Sequence, residues 1–128
     1  IRKAGTVNNT RIQLNSDTGS NYRSHFLYGD GSAAGAGDYY VYTANYLGNS
    51  VSTANVASAF VIDILDYTST NKNKTLRTLM GYDTNGAGVV QLISGLWLNS
   101  STAVSSITLL IDSSTFQQYS QFALYGIR

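Results

Sequence analysis

Thr75-Leu76-Arg77-Thr78-Leu79-Met80-Gly81-Tyr82-Asp83-Thr84-Asn85-Gly86-Ala87-Gly88-Val89-Val90-Gln91-Leu92-Ile93-Ser94-Gly95-Leu96-Trp97-Leu98 is the stretch that decides how this chain folds. Side chains two apart on a strand point the same way, so an extended Thr75 to Tyr82 gathers Leu76, Met80 and Tyr82 on one face. Asn85-Gly86 then stands between two β-patterned segments. Both residues tolerate the positive φ of a tight turn, and the pair therefore predicts a β-hairpin. Val89 to Leu98 is the returning strand, and Trp97, between Leu96 and Leu98, reads as a core anchor.

The same period of two recurs outward from this hairpin. Thr10 to Leu14 sets Ile12 and Leu14 opposite Arg11 and Gln13, and Asn15-Ser16-Asp17-Thr18-Gly19-Ser20-Asn21 supplies a turn. Tyr22 to Tyr28 sets Tyr22, Ser24, Phe26 and Tyr28 opposite Arg23, His25 and Leu27. Gly29 to Gly37 is rich in Gly and Ala, too small-sided to pack a core, and reads as a mobile surface loop. Tyr39 to Leu47 reads as one strand with Tyr40, Tyr42 and Tyr46 on one face, and Asn49 to Asn55 as a polar connection. Ala59 to Tyr67, Val104 to Ile111 and Ser120 to Ile127 complete the strands. The last, Phe122-Ala123-Leu124-Tyr125-Gly126-Ile127, is apolar on both faces and is expected inside a sheet, because a loose apolar end costs hydration and invites edge pairing.

About eight short strands with no internal repeat make an all-β, two-sheet antiparallel β-sandwich the expected fold, jelly-roll-like and free of the Cys-Trp-Cys core of immunoglobulin domains. Composition agrees: Glu and Pro are absent, while Ser, Thr, Asn, Gly and Tyr dominate, a balance that removes strong helix formers. The 128 residues are expected to form a single domain, the C-terminal part of a longer chain, because Ile1-Arg2-Lys3 enters without a turn signal. With a net charge of +1 and only 12% charged residues, no broad basic surface for nucleic acid is expected. No apolar run reaches the roughly 20 residues of a membrane-spanning helix.

The chemistry-bearing residues read mostly as structure. Asp17-Thr18-Gly19 matches the aspartic-protease triplet, but only one copy is present and the polar Asn15-Ser16 before it fits a turn. His25 is the only histidine, and no Gly-x-Ser-x-Gly elbow accompanies it, so a surface side chain is expected rather than a general base. Asp63 and Asp66 could form a glycosidase pair or hold a metal; the competing expectation is an ion pair to Arg77 or Lys74 on the next strand. Asp83-x-Asn85-Gly86 opens like a calcium loop without the later ligands. No catalytic residue, metal or cofactor is therefore expected. Tyr40, Tyr42, Tyr46, Tyr28 and His25 are the candidate contact residues, since exposed tyrosines offer flat surfaces of low conformational entropy to sugars and proteins. Tyrosine is also ordinary strand filler, and the stripe equally fits a core edge.

Val61-Ile62-Asp63-Ile64-Leu65-Asp66-Tyr67, Met80-Gly81-Tyr82-Asp83, Ser94-Gly95-Leu96-Trp97, Ser106-Ile107-Thr108-Leu109, Phe122-Ala123-Leu124-Tyr125-Gly126-Ile127 and, upstream, Asn15 to Tyr22 follow one another here as in a group of tailed-bacteriophage virion proteins. The chain resembles that group over nearly its whole length. The resemblance implies a C-terminal β-sandwich on the virion surface, joined to a particle-docking region, in a tail-fibre, head-fibre or minor structural protein. It further implies a homotrimer that meets other virion proteins and a host surface glycan or protein, and it brings no catalytic residues. Capsid decoration is the alternative role, and a polysaccharide depolymerase built on Asp63 and Asp66 a second.

Overall fold

The computed structural model describes residues 7–51, 53 and 55–127; Ile1-Arg2-Lys3 and Arg128 lie outside them. Eight strands follow in order among these residues: β1 (Val7–Leu14), β2 (Tyr22–Gly29), β3 (Ala34–Tyr42), β4 (Asn45–Val51), β5 (Ala59–Leu65), β6 (Lys74–Asp83), β7 (Gly88–Trp97) and β8 (Ile107–Ile111). They form two antiparallel sheets, β4-β1-β8 and β3-β2-β7-β6-β5. β4 crosses over β7, β6 and β2, and the domain is a two-sheet sandwich. First pairs with last strand and second with second-to-last, as in a jelly roll, while β5, β6 and β7 run as a meander.

The Asn85-Gly86 turn forms as the sequence predicts. Asn85 and Gly86 take φ of 64° and 104°, the Asp83 carboxylate accepts from both their N–H groups, and Thr84 N–H closes the turn on Ala87 O at 3.0 Å. The hairpin sends Leu76, Met80, Ile93 and Trp97 inward, where they are buried with Ile12, Leu14, Tyr22, Tyr46 and Leu47. Trp97 is fully enclosed and stacks on Tyr22 at 6.4 Å. Lys74, also fully enclosed, lays its ammonium 5.5 Å from the Trp97 ring centroid and donates to Asn99 O at 2.9 Å.

Three expectations are corrected. The Gly- and Ala-rich stretch is not a loop beyond residue 33: Ala34 to Tyr42 is an edge strand, with Gly37 opposite Phe26 and Gly35 opposite Tyr28. A Cβ at Gly37 would come within 2.5 Å of the Phe26 ring, and one at Gly35 within 2.7 Å of Tyr28, so the missing side chains make room for the rings of β2 to lie over the strand. Tyr39 to Leu47 is not one strand, because the chain leaves the larger sheet after Tyr42 and enters the smaller at Asn45; the connection expected from Asn49 belongs to β4 as far as Val51.

The third correction is the chain end. Residues 121–127 lie in no strand; turns with φ of 56° at Ser113 and 72° at Tyr119 lead the chain away from β8. Ser120 N–H bonds back to Gln117 O at 3.1 Å and Phe122 packs on Phe116 at 5.0 Å. Phe122, Leu124, Tyr125 and Ile127 are 60–85% exposed.

Candidate functional site on the outer face of the larger sheet

One face of the five-stranded sheet is covered by β4 and its neighbours, and among the described residues no strand covers the other. Residues paired across antiparallel strands share a face, so the register lays out the open side in transverse rows. Ala36, Leu27, Leu92, Leu79 and Val61 form one row across all five strands, with the four larger side chains 49–64% exposed. The next row is Asp38, His25, Ser94, Arg77 and Asp63. Beyond it Arg23, Leu96, Thr75 and Leu65 align, with Tyr40 at the β3 end. The open face is therefore half apolar and half polar and aromatic.

Tyr40 reaches this face through a β-bulge. Ser24 pairs with Tyr39 and Tyr22 with Tyr42, so three steps on β3 answer two on β2, and Tyr39 and Tyr42 both turn toward the core side while Tyr40 points out. There Tyr40 meets His25 edge to face, with ring centroids 5.9 Å apart and planes at 85°. A shallow open depression of about 380 Å³ runs beside them, lined by Arg23, His25, Tyr40, Thr75, Ser94 and Leu96. A second, of about 640 Å³, continues past His25 and Ser94 to Leu27, Leu92, Arg77 and Leu65. Imidazole, guanidinium and hydroxyl groups line the first depression beside Tyr40, and the Asp38 carboxylate lines the second, a set that suits an extended ligand that both stacks and hydrogen-bonds.

Of the five residues singled out from the sequence, the structure brings together His25 and Tyr40 alone. Tyr46 is corrected: at 2% exposure it is a core residue, its hydroxyl 2.8 Å from Gln91 Oε1 and 2.7 Å from Asn49 Oδ1, and burial pushes its pKa up to about 12. Tyr42 is half-exposed but works as packing, edge-on to Tyr39 at 5.1 Å and 4.4 Å from the buried Arg11 guanidinium. Tyr28 lies on the core side of β2 over Gly35, away from His25. Alternation already placed Arg23 on the face of His25. Ser94, Arg77, Leu96 and Leu65 were missed, since they join the site only through pairing between strands distant in the chain.

The remaining candidates have structural partners. Arg77 binds the Asp63 carboxylate through Nη2 at 2.6 Å and Nε at 3.0 Å, the ion pair expected across β5 and β6; Asp66 sits in the following turn at φ 55°, 3.5 Å from Lys72 Nζ. Asp17 is a turn residue that ties the first loop to the core. Burial raises its pKa, but the Trp97 indole N–H at 2.7 Å, the Asn21 amide and the Gly19 N–H outweigh burial and hold the carboxyl below its usual range. Arg11 grips Asp112 through Nε at 2.9 Å to each oxygen, joining the end of β8 to β1.

Compared with family models, curated proteins and solved structures, the chain has no match in any of the three.

Proposed function

We propose that this domain is a non-enzymatic adhesion element on the surface of a bacteriophage virion, a tail-fibre or receptor-binding domain that works as a homotrimer among other virion proteins and touches the host envelope. The observation that carries the contact role is the polar and aromatic half of the open sheet face, where Tyr40 and Arg23 border one depression, Arg77 the next, and His25 and Ser94 line both. The virion setting rests on the sequence resemblance. A glycan fits this face by chemistry: its apolar ring face stacks on Tyr40 while its hydroxyls meet the imidazole, guanidinium and serine groups. The Arg77–Asp63 ion pair occupies the carboxylate on which the depolymerase reading depends, and we set that reading behind adhesion.

Binding of the purified domain to a panel of bacterial envelope polysaccharides and whole cells tests this. Tyr40→Ala with His25→Ala should weaken retention about tenfold, the loss of roughly 1.4 kcal/mol of contact, without lowering the unfolding temperature. Retention that survives both substitutions, or glycan cleavage that Asp63→Asn abolishes, overturns it. Capsid decoration is the second reading, favoured by the apolar half of the same face; counting copies per particle separates the two, since a decoration protein covers the shell and a fibre does not.

A further inference from the structure

We propose that the glycan taken by the Tyr40 depression is an acidic one, a carboxylated sugar whose ring stacks on Tyr40 and whose carboxylate docks on the guanidinium of Arg23. The inference rests on the glycan adhesion put forward above and names the chemical class of the ligand.

The two arginines of the open face differ in what holds them. Arg77 is already neutralised, with Nε at 3.0 Å and Nη2 at 2.6 Å from one oxygen of Asp63. Arg23 has no carboxylate partner among the described residues. Its Nη1 donates to two backbone carbonyls, Ser20 O at 3.2 Å and Tyr22 O at 2.9 Å, which fix the guanidinium without cancelling its charge. Nε and Nη2 of Arg23 make no hydrogen bond among the described residues. These are the two nitrogens through which Arg77 takes Asp63, and the planar N–H fork they present matches a carboxylate.

The surroundings of Arg23 favour an anion. No acidic side chain lines the first depression, where His25, Tyr40, Thr75 and Ser94 stand beside Arg23. The side chains of those four form no hydrogen bond among the described residues, so their polar groups are open to sugar hydroxyls. Asp38 faces His25 across the β2–β3 pair and lines the second depression alone. A carboxylate accepts hydrogen bonds and repels an anion, so Asp38 turns the charged end of the sugar toward Arg23 and draws hydroxyl or amide N–H groups toward itself.

One sugar residue can make both contacts. Arg23 on β2 and Tyr40 on β3 lie on adjacent strands, which run about 4.8 Å apart, and border the same depression. A carboxylated sugar carries its charge on the ring that stacks. A polymer charged through phosphodiester linkages carries it between rings and fits this pairing less well.

The test extends the panel of envelope polysaccharides with polymers of glucuronic, galacturonic and sialic acid, neutral hexose polymers and polyglycerol phosphate. Each retained carboxylated polymer is measured again after carboxyl reduction, which makes its acidic sugars neutral and keeps the linkages. Carboxylated polymers should be retained by the full chain, and reduction should weaken retention about tenfold, as expected for the loss of a charge-assisted fork. Arg23→Gln should weaken it by a like factor and Arg23→Lys by less, since lysine keeps the charge without the fork. Asp38→Asn should strengthen retention at low salt, a gain that disappears at about 0.5 M NaCl and that a structural effect on folding would not produce. Retention that survives carboxyl reduction or Arg23→Gln overturns the acidic ligand and leaves glycan adhesion standing, as does a preference for polyglycerol phosphate over every carboxylated polymer. Retention on no polymer overturns both.

Discussion

The β6–β7 hairpin and the chain end carry the same signal, apolar side chains alternating along an extended run, and meet opposite fates. In the hairpin Asn85-Gly86 folds the second segment back on the first, so every residue from Lys74 to Asp83 finds a partner between Gly88 and Trp97. At the chain end the turns at Ser113 and Tyr119 deliver no partner strand, and Leu124 stays in water where Ile93 is buried. Alternation qualifies a segment to be a strand; only a partner brought into register makes it one.

The sharpest break between the two regions should come from Trp97→Ala. Removing a fully enclosed indole should cost about 3–5 kcal/mol in denaturant unfolding, and a small loss would deny the hairpin its role as the core. Alkali should act next. Burial first of all raises Tyr22 and Tyr46, each to about 12, against 10 for the free side chain. A raised folded pKa keeps its full stabilisation below the unfolded value and loses it as the pH climbs through the folded one, so the unfolding midpoint should hold to pH 10 and fall steeply toward pH 12.

Asp17→Ala should cost about 1–3 kcal/mol, because the Trp97 indole N–H loses its acceptor. The depressed Asp17 carboxyl has the opposite pH sense: its stabilisation is present above the unfolded pKa of 3.8 and fades as the pH falls below it, a limb that Asp17→Asn should flatten. Gly86→Ala should cost about 1–2 kcal/mol, since φ is 104° and no neighbour lies within 4 Å, which makes the effect purely conformational. Leu124→Ser sits at the bottom of the scale, within about 0.5 kcal/mol, as expected of an exposed side chain. A larger loss there would show that the segment packs on its own domain.

Much of the sandwich was legible because its strands follow a period of two and its turns use residues that accept positive φ. The count of eight strands held although its members changed: the Tyr39–Leu47 segment divides between sheets and the chain end forms none. Gly35 and Gly37 hid β3, since a strand without side chains shows no alternation and is built by the aromatic residues opposite it. The candidate site was half legible. His25 and Tyr40 were found, but the bulge that separates Tyr40 from Tyr42, and the change of sheet that buries Tyr46, depend on pairing distant in the chain.

By itself, then, the order of residues determined the all-β class, the central hairpin and the inward place of Trp97, because each follows from the geometry of neighbours a few positions apart. The tertiary structure alone decided which rows cross the open face, which tyrosines reach water, and that the final apolar segment pairs with no strand. These depend on register between strands up to about a hundred residues apart, such as β1 against β8, where the contacts are set by the packing of whole sheets.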